Sequence, residues 1–173
     1  QDSLQKGESH AGYFDFSQTI KNWTFNFGLR GTHYDLMSEF YVDPRLSFTY
    51  QINKAISLKG AFGIYRQMIR RLNERSLYLS VPETWALASP TTVPLLKSKH
   101  YILGFSVQKT GWTFNLEGYH KYENGSVEFL HPEFGNPTGN LDQFAIGGRK
   151  RIFGLDVLLK KSFRKGDLLF GYT

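Results

Sequence analysis

The fold is decided by residues 43–66, whose sequence is DPRLSFTYQINKAISLKGAFGIYR. Apolar residues alternate with polar or small ones along two arms, and a short turn at Asn53 and Lys54 separates the arms. Because successive side chains of a β-strand point to opposite faces of the sheet, this alternation predicts a hairpin with one apolar face and one polar face. The apolar set is Leu46, Phe48, Tyr50, Ile52, Ile56, Leu58, Phe62 and Ile64.

The same alternation predicts six further strands on either side of this hairpin. The clearest is Trp23–Tyr34, in which Trp23, Phe25, Phe27 and Leu29 alternate with polar or small residues. Pro44 is expected at the start of its strand, where its missing N–H does least harm. Several strands span about 10 to 13 residues, the length that a tilted membrane strand needs. The other predicted strands cover residues 10–17, 98–109, 112–122, 148–162 and 167 onwards.

The connections between the predicted strands alternate in length. Short connections cover residues 18–22, 53–54, 110–111 and 163–166, and long ones cover residues 35–43, 67–97 and 123–147. In an antiparallel sheet all short turns then lie at one end and all long loops at the other, an arrangement typical of outer-membrane barrels. Trp23, Trp112 and Phe163 lie beside short turns, where aromatic rings are expected to form a girdle at the membrane interface.

The composition narrows the classes of function. The chain has 173 residues, 40% of them apolar and 16% aromatic, and its mean hydropathy is −0.37. These values exclude a helical membrane protein, which needs about 20 consecutive apolar residues, but they agree with a membrane barrel, whose strands are half apolar. The net charge of +6 is spread over many strands and turns without a dense basic run, so we expect no binding of nucleic acid.

The residue types and their spacing give no sign of catalysis. The chain lacks cysteine, which excludes disulfides and thiolate metal sites. It also lacks a glycine-rich phosphate loop and a Gly-x-Ser-x-Gly elbow. The histidines have no close metal-ligand spacing; they are His10, His33, His100, His120 and His131. We therefore expect neither an enzyme nor a cofactor or metal site.

The long connection of residues 67–97 is the best candidate for ligand binding. Connections of this length in a compact structure are commonly functional. Guanidinium groups can bind carboxylate or phosphate groups of a ligand, and aromatic rings can stack on flat or sugar rings. The predicted ligand-binding residues are Arg70, Arg71, Glu74, Arg75, Tyr78 and Trp85. Residues 123–147 form a second, weaker candidate loop.

Four segments, in this order, resemble the C-terminal barrel of TonB-dependent receptors, the 22-stranded transporters of Gram-negative outer membranes. They are WTFNFGLRGTHYD (residues 23–35), the hairpin of residues 43–66, KSKHYILGF (residues 97–105) and RIFGLDVLLKKSFRKGDLLFGYT (residues 151–173). The resemblance implies an all-β fold, an antiparallel up-and-down transmembrane β-barrel. Residues 1–173 are expected to form a single segment of it, about eight strands of a larger barrel, without the plug domain and the remaining strands.

The resemblance also implies a function in the cell outer membrane of a Gram-negative bacterium. In that family a scarce nutrient, such as a siderophore, haem, cobalamin or an oligosaccharide, is caught by extracellular loops and the plug, and import is coupled to energy. The implied partners are outer-membrane lipid and lipopolysaccharide, the protein's own plug domain, the TonB complex through the plug, the small-molecule or oligosaccharide ligand and, as in some relatives, a surface lipoprotein.

Three interpretations of the sequence place the polar strand faces in different surroundings. In the receptor interpretation Arg30, Arg45, Lys59 and Glu117 face the lumen, where they touch the plug or water. A self-contained eight-stranded barrel would have to hold these four residues and Asp156 together in a narrow interior. A soluble or secreted β-barrel for ligand binding or adhesion would instead bury the aromatic face and expose the arginine and lysine side chains.

Overall fold

The computed structural model describes residues 6–72, 84–91, 93–129 and 145–173. These residues form ten β-strands and a single 3-10 turn, Asp35–Met37, between the second and third strands. The strands are β1 Ser9–Ile20, β2 Trp23–Tyr34, β3 Glu39–Gln51, β4 Ile56–Gln67, β5 Ile69–Leu72, β6 Thr84–Leu87, β7 Leu96–Lys109, β8 Trp112–Phe129, β9 Ala145–Phe163 and β10 Gly166–Tyr172. In this part of the chain no helix has the length and hydrophobicity needed to cross a bilayer.

Eight of the strands form one antiparallel sheet in the order β1-β2-β3-β4-β7-β8-β9-β10. Apart from β5 and β6, which pair with each other in a separate hairpin, every strand is paired with its neighbour in sequence. The predicted all-β, up-and-down architecture is confirmed. The sheet is open in the described residues, with β1 at one edge and β10 at the other.

Strand β3 begins earlier than the alternation predicts. Pro44 lies within β3 and is paired in register with Leu29 of β2, whereas the pairing of β3 with β4 extends only as far as Arg45. The missing N–H of Pro44 is tolerated because β3 has a paired neighbour on one side only at this point. The predicted start of the strand at Pro44 is therefore wrong, and so is the long connection of residues 35–43, which shortens to four residues, 35–38.

Strands β8 and β9 are longer than predicted, with 18 and 19 residues. Their pairing continues through a bulge between Asn124 and Ser126, where Gly125 is unpaired and has a φ of +83°. A residue in this left-handed region is most easily a glycine, and the extra residue reverses the alternation of side chains beyond it. The predicted connection of residues 123–147 is therefore partly strand, and residues 130–144 lie outside the described residues.

The register divides the large sheet into two faces, because directly paired residues of adjacent strands share a face. One row joins Phe25, Phe48, Gly60, Leu103, Gly118 and Leu155 across six strands. A row on the other face joins Thr49, Lys59, Gly104, Glu117 and Asp156. We call these the apolar face and the polar face. Arg30, Arg45, Lys59 and Glu117 all lie on the polar face, opposite Phe48 and Phe114.

The apolar face has no core packed against it in the described part of the chain. Leu103 is 59% exposed, Phe153 72% and Phe170 60%, and Trp23 of the clearest strand is 38% exposed. The buried hydrophobic residues are instead few, namely Tyr34, Tyr41, Ala88 and Val93, and three of them form a small cluster where β2 and β3 meet residues 88–95. An ordinary globular packing of the aromatic face into a core is absent from these residues.

Candidate functional site

The apolar face carries a continuous apolar band on three neighbouring strands. Each of the strands β7, β8 and β9 contributes three side-chain positions to this band, separated by residues of the polar face. The apolar band consists of Leu103, Phe105 and Val107 on β7, Phe114, Leu116 and Gly118 on β8, and Leu155, Val157 and Leu159 on β9. Its members are directly paired across the strands, so they form three rows with no polar side chain among them.

Rows of aromatic and basic residues bound this band at both ends. At the loop end, the rings of Phe62 and Tyr101 lie 5.1 Å apart, those of Tyr101 and His120 6.0 Å, and those of His120 and Phe153 4.3 Å. Beyond this aromatic row the same face turns polar, with Lys99, Tyr122 and Arg151 in register. At the short-turn end, Lys109, Trp112 and Lys161 are in register. Trp112 and His120, which mark the two ends on β8, are separated by eight residues, about 26 Å along the strand.

The dimensions of the apolar band match those of a bilayer-facing surface. Strands of membrane barrels are tilted by about 40°, so that a length of about 26 Å along the strand corresponds to a height of about 20 Å. Membrane barrels show an outward apolar band about 25 Å tall between two aromatic girdles. Trp112 and Phe163, both predicted for the girdle, are 45% and 60% exposed on this face. Trp23 stacks on the ring of Phe25 at 5.5 Å and lies 4.4 Å from that of Tyr50.

The polar face contains an open hollow of about 460 Å³ over β1, β2 and β3. It is lined by Ala11, Tyr13, Asp15, Gly28, Leu29, Arg30 and Arg45. A Cβ atom at Gly28 would lie 2.7 Å from the Asp15 carboxylate, so the glycine lets this carboxylate approach the sheet. The guanidinium of Arg45 lies 5.0 Å from the centre of the Tyr65 ring. Two guanidinium groups beside one carboxylate leave the hollow with an excess of positive charge, which suits an anionic group.

A pair of carboxylates lies on the polar face of β8 and β9. Glu117 of β8 and Asp156 of β9 are directly paired, and like charges in this position repel each other. One oxygen of Asp156 is buried without a hydrogen-bond partner in the described residues. The polar face thus carries the basic Arg30, Arg45 and Lys59 on β2 to β4, and this pair of carboxylates on β8 and β9, where Lys121 and Lys160 lie on the same face. Within the described residues, no group of three or more histidine, aspartate or glutamate side chains is arranged to hold a metal ion.

At the loop end, the chain following β6 packs onto the ends of β2 and β3. The hydroxyl of Tyr34 donates a 2.9 Å hydrogen bond to the carbonyl of Ala88, and the amide of Ala88 donates one of 2.7 Å to the carbonyl of Met68. Tyr41 packs beside them and donates through its hydroxyl to the Met37 sulfur at 3.1 Å. Leu36, Met68 and Leu95 pack around this cluster. The base of the long connection is therefore an ordered part of the sheet's end.

The side chain of Arg70 forms hydrogen bonds that link the β5–β6 hairpin to the segment before β7 and to β8. One nitrogen of its guanidinium donates to the carbonyl of Pro94, just before β7, and to the carbonyl of Gly125 in β8 at 2.7 Å. Its side chain is buried, and the burial lowers the pKa of the guanidinium, an effect that the nearby Glu123 carboxylate opposes. A second nitrogen, Nε, is buried without a partner in the described residues. The group thus joins β5, the start of β7 and the bulge of β8.

The six predicted ligand-binding residues have different positions in the structure. Trp85 is 66% exposed and lies on β6 directly opposite Arg71 of β5. Arg70 is turned into the contacts with Pro94 and Gly125 rather than towards Trp85. Glu74, Arg75 and Tyr78 lie outside the described residues. The structure thus brings only Arg71 and Trp85 together in register, and ligand binding by all six residues stays a prediction.

Arg66 is a residue at the loop end whose role the sequence did not indicate. It forms an ion pair with Asp43, donates a 3.0 Å hydrogen bond to the carbonyl of Val42, and lies 4.9 Å from the centre of the Tyr41 ring. The ion pair joins β3 and β4 just beyond the point at which their regular pairing ends at Arg45. The alternation of residues 43–66 predicts both strands, but the contact between their outer ends has no local signal in the sequence.

Comparison with known proteins relates the chain to a receptor at the level of the fold. No protein-family model and no curated protein sequence matches it. Among solved structures, the siderophore receptor PirA from Pseudomonas aeruginosa is similar, with a TM-score of 0.67 at 13% sequence identity. The match covers 96% of this chain and 34% of the receptor, so the chain spans about a third of that protein's length. The fold is therefore that of a segment of a β-barrel.

Proposed function

We propose that the chain is part of the barrel wall of a TonB-dependent receptor in a Gram-negative outer membrane, which imports a scarce nutrient by energy-coupled transport. The observation that carries this proposal is the uncovered apolar band, bounded at both ends by aromatic rings and basic residues. A surface of this kind is stable against acyl chains and unfavourable in water. The fold-level similarity to a siderophore receptor supports the same class.

In this proposal the polar face lines the lumen. The basic hollow at Arg30 and Arg45 and the acidic pair of Glu117 and Asp156 then face the protein's own plug domain or water. The edges of the sheet, β1 and β10, are continued by the remaining strands of the barrel, because open edges with unpaired N–H and C=O groups are not stable in hydrocarbon. The plug, and not these residues, contacts the TonB complex.

The loop end is the extracellular side in this proposal, and the nutrient binds there. Trp85, paired in register with Arg71 on the β5–β6 hairpin, offers an exposed ring for the flat or sugar-like part of a ligand. We propose that the predicted arginines of this connection bind its anionic part. Haem and cobalamin have an anionic group and a flat ring, siderophores have anionic or flat metal-binding groups, and oligosaccharides have sugar rings; the ligand is one of these. The role is that of a receptor and transporter and requires no catalysis by this chain. Lipopolysaccharide surrounds the loop end, and a surface lipoprotein is a further partner at this end.

The alternative of a soluble or secreted ligand-binding or adhesion module requires a different packing. It would place the aromatic face in a core, whereas this face carries exposed large hydrophobic side chains on seven of the eight strands of the sheet, all except β4. The rings of Trp23 and Phe48 lie 5.9 Å apart on the surface of the sheet and are not surrounded by a second layer. The receptor is therefore the better explanation of the described residues.

Uptake by whole cells tests this proposal. Cells with and without the full-length protein are given labelled ferric siderophores, haem, cobalamin and oligosaccharides, and uptake is measured before and after the TonB complex is removed. We expect saturable uptake of one ligand class that needs both the protein and the TonB complex. Uptake that continues without the TonB complex, or recovery of the protein in the soluble fraction, would contradict the proposal.

A further inference from the structure

The short-turn end of the apolar face carries a row of basic and aromatic side chains. Lys109 of β7, Trp112 of β8, Lys161 of β9 and Leu168 of β10 are directly paired in this order, so they lie side by side on one face. Directly opposite residues of neighbouring strands have Cβ atoms about 5 Å apart, which places the two lysines about 10 Å apart with the indole between them. Both lysines lie on the face that is otherwise apolar.

The side chain of Lys161 runs along aromatic rings towards the turn. Its ammonium lies 4.6 Å from the centre of the Trp112 ring and 6.0 Å from that of Phe163, and it donates a 3.1 Å hydrogen bond to the carbonyl of Thr110. An aliphatic stem on an apolar surface with its charge at the polar edge is the arrangement of a lysine at a bilayer boundary. The charge of Lys161 is thus held at the level where lipid headgroups begin.

No carboxylate in the described residues neutralises this row on the apolar face. Glu117 and Asp156, the carboxylates nearest to the row along the sequence, lie on the polar face. Asp167 of β10 forms a 3.0 Å ion pair with Lys160, and both of these residues also lie on the polar face. The turn that follows adds Arg164 and Lys165, both exposed. The row therefore combines positive charge with apolar surface and has no anionic partner within the described part of the protein.

We propose that Lys109, Trp112 and Lys161 form a binding site for an anionic phospholipid of the leaflet at the short-turn end. The two ammonium groups would bind the phosphate oxygens of the headgroup, and the indole N–H of Trp112 is a third donor at the same level. The acyl chains would lie on the adjacent residues of the apolar band, Phe114 and Leu159. This inference rests on the membrane location in the proposed function, but it specifies which lipid is held and where.

The test compares two double variants of the full-length protein that lose the same charge at the same end. K109Q/K161Q removes the row, and K21Q/K54Q removes two lysines of the other short turns. Each protein is placed in nanodiscs with phosphatidylglycerol or phosphatidylcholine, and lipids retained after release are counted by native mass spectrometry. A basic residue near an anionic surface changes the affinity by roughly fivefold, so K109Q/K161Q should weaken phosphatidylglycerol retention by about 30-fold.

We expect K21Q/K54Q to retain phosphatidylglycerol as the unchanged protein does, and we expect glycerol phosphate, the headgroup without acyl chains, to compete weakly. Equal losses in the two double variants would overturn the proposal in favour of a general attraction to anionic membranes. Equal binding of glycerol phosphate and of the lipid would overturn it in favour of a simple phosphate site. Failure of the unchanged protein to enter nanodiscs would refute the membrane location itself, and with it the proposed function.

Discussion

At the scale of single residues, Arg70 was predicted to bind a ligand but instead makes hydrogen bonds within the protein. A guanidinium in a long loop is a reasonable candidate for anion binding, but here it donates to the carbonyls of Pro94 and Gly125. Hydrogen bonds from charged donors stabilise more than neutral ones, because a full charge attracts the carbonyl oxygen more strongly. Without Arg70 the carbonyls would also lose this partner, which carries a further cost. The guanidinium of Arg70 therefore stabilises the base of the β5–β6 hairpin, together with the hydrogen bonds of Ala88.

Replacing Arg70 with glutamine should loosen that base. The loss of charged hydrogen bonds is expected to cost about 2 kcal/mol locally, which corresponds to roughly 30-fold faster opening. Hydrogen exchange of the Ala88 amide, bonded to the carbonyl of Met68 at 2.7 Å, reports this opening. Lysine should rescue only partly, because an ammonium lacks the planar fork of arginine. R30Q, which removes an exposed guanidinium from β2, is the control, and an unchanged Ala88 exchange rate in R70Q would contradict the prediction.

At the scale of the secondary-structure element, successive residues of strand β7 lie on opposite faces of the sheet and therefore in different environments. Leu103 lies in the apolar band, between Gly60 and Gly118 in register, and is 59% exposed. Its neighbour Ile102 lies on the polar face and is 38% exposed. The two side chains have the same size and hydrophobicity and lie at the same level of the strand, so they differ mainly in the face that they occupy.

Arginine at these two positions should have opposite consequences. An arginine on the lipid face costs about 2 to 4 kcal/mol at the bilayer midplane and less towards the interfaces, whereas one on a lumen face is solvated. Leu103 lies one row from the middle of the apolar band, inside the aromatic row. We therefore expect L103R to lower the yield of folded full-length protein strongly, and I102R to leave it nearly unchanged, when both are scored by heat-modifiable migration on gels. The reverse order would mean that the aromatic face is the inner one, as in the soluble alternative.

The existence of the eight strands of the large sheet, but not their ends, could be predicted from the sequence, whereas β5 and β6 lie within residues 67–97, which were predicted to be a connection. Trp23–Tyr34 has the predicted bounds because its alternation is uninterrupted between a turn and the Asp35–Met37 segment. Strand β3 differs because Pro44 forms no obstacle where only β2 is its partner, and β8 differs because a bulge at Gly125 breaks the period of two. Both exceptions depend on which neighbour pairs at that point, which local alternation does not encode.

The candidate site was harder to predict than the fold, for a related reason. The tie between Tyr34 and Ala88 joins residues 54 positions apart, and that between Arg70 and Gly125 joins residues 55 apart. Residue chemistry indicated Arg70 and Trp85 as notable, but only the packing of the hairpin on β2, β3 and β8 decides that one is buried and the other exposed. The row of Lys109, Trp112 and Lys161 could not be predicted from the sequence either, since its members belong to three strands and are aligned only by the register of the sheet.

At the scale of the whole molecule, the described sheet is stable only in suitable surroundings. Its apolar face is uncovered, and the strands at its two edges, β1 and β10, each have a paired neighbour on one side only. Lipid satisfies the first requirement and further strands satisfy the second. Water meets neither requirement. The stability of this sheet therefore depends on lipid and on additional strands as much as on the contacts between its own residues.

Residues 1–173 produced alone should therefore fail to form a defined monomer. In detergent, which covers the apolar face, we expect the two edges to pair with other copies and give large, heterogeneous assemblies on size-exclusion chromatography with light scattering. The full-length protein is the control and should give a single species. A monodisperse, heat-modifiable monomer of the 173 residues in detergent would instead support the self-contained eight-stranded barrel, and one without detergent the soluble alternative.

The bulge at Gly125 sets limits on how such a protein can diversify. The unpaired residue reverses the alternation only in the last residues of β8, beyond the aromatic row at His120 and away from the apolar band. Insertions and deletions beyond this point alter the outer tip of the strand and leave the side chains of the apolar band in place. In the proposed receptor, selection for a new cargo could thus change the length of the adjoining loop, while the bilayer would continue to constrain the residues below it.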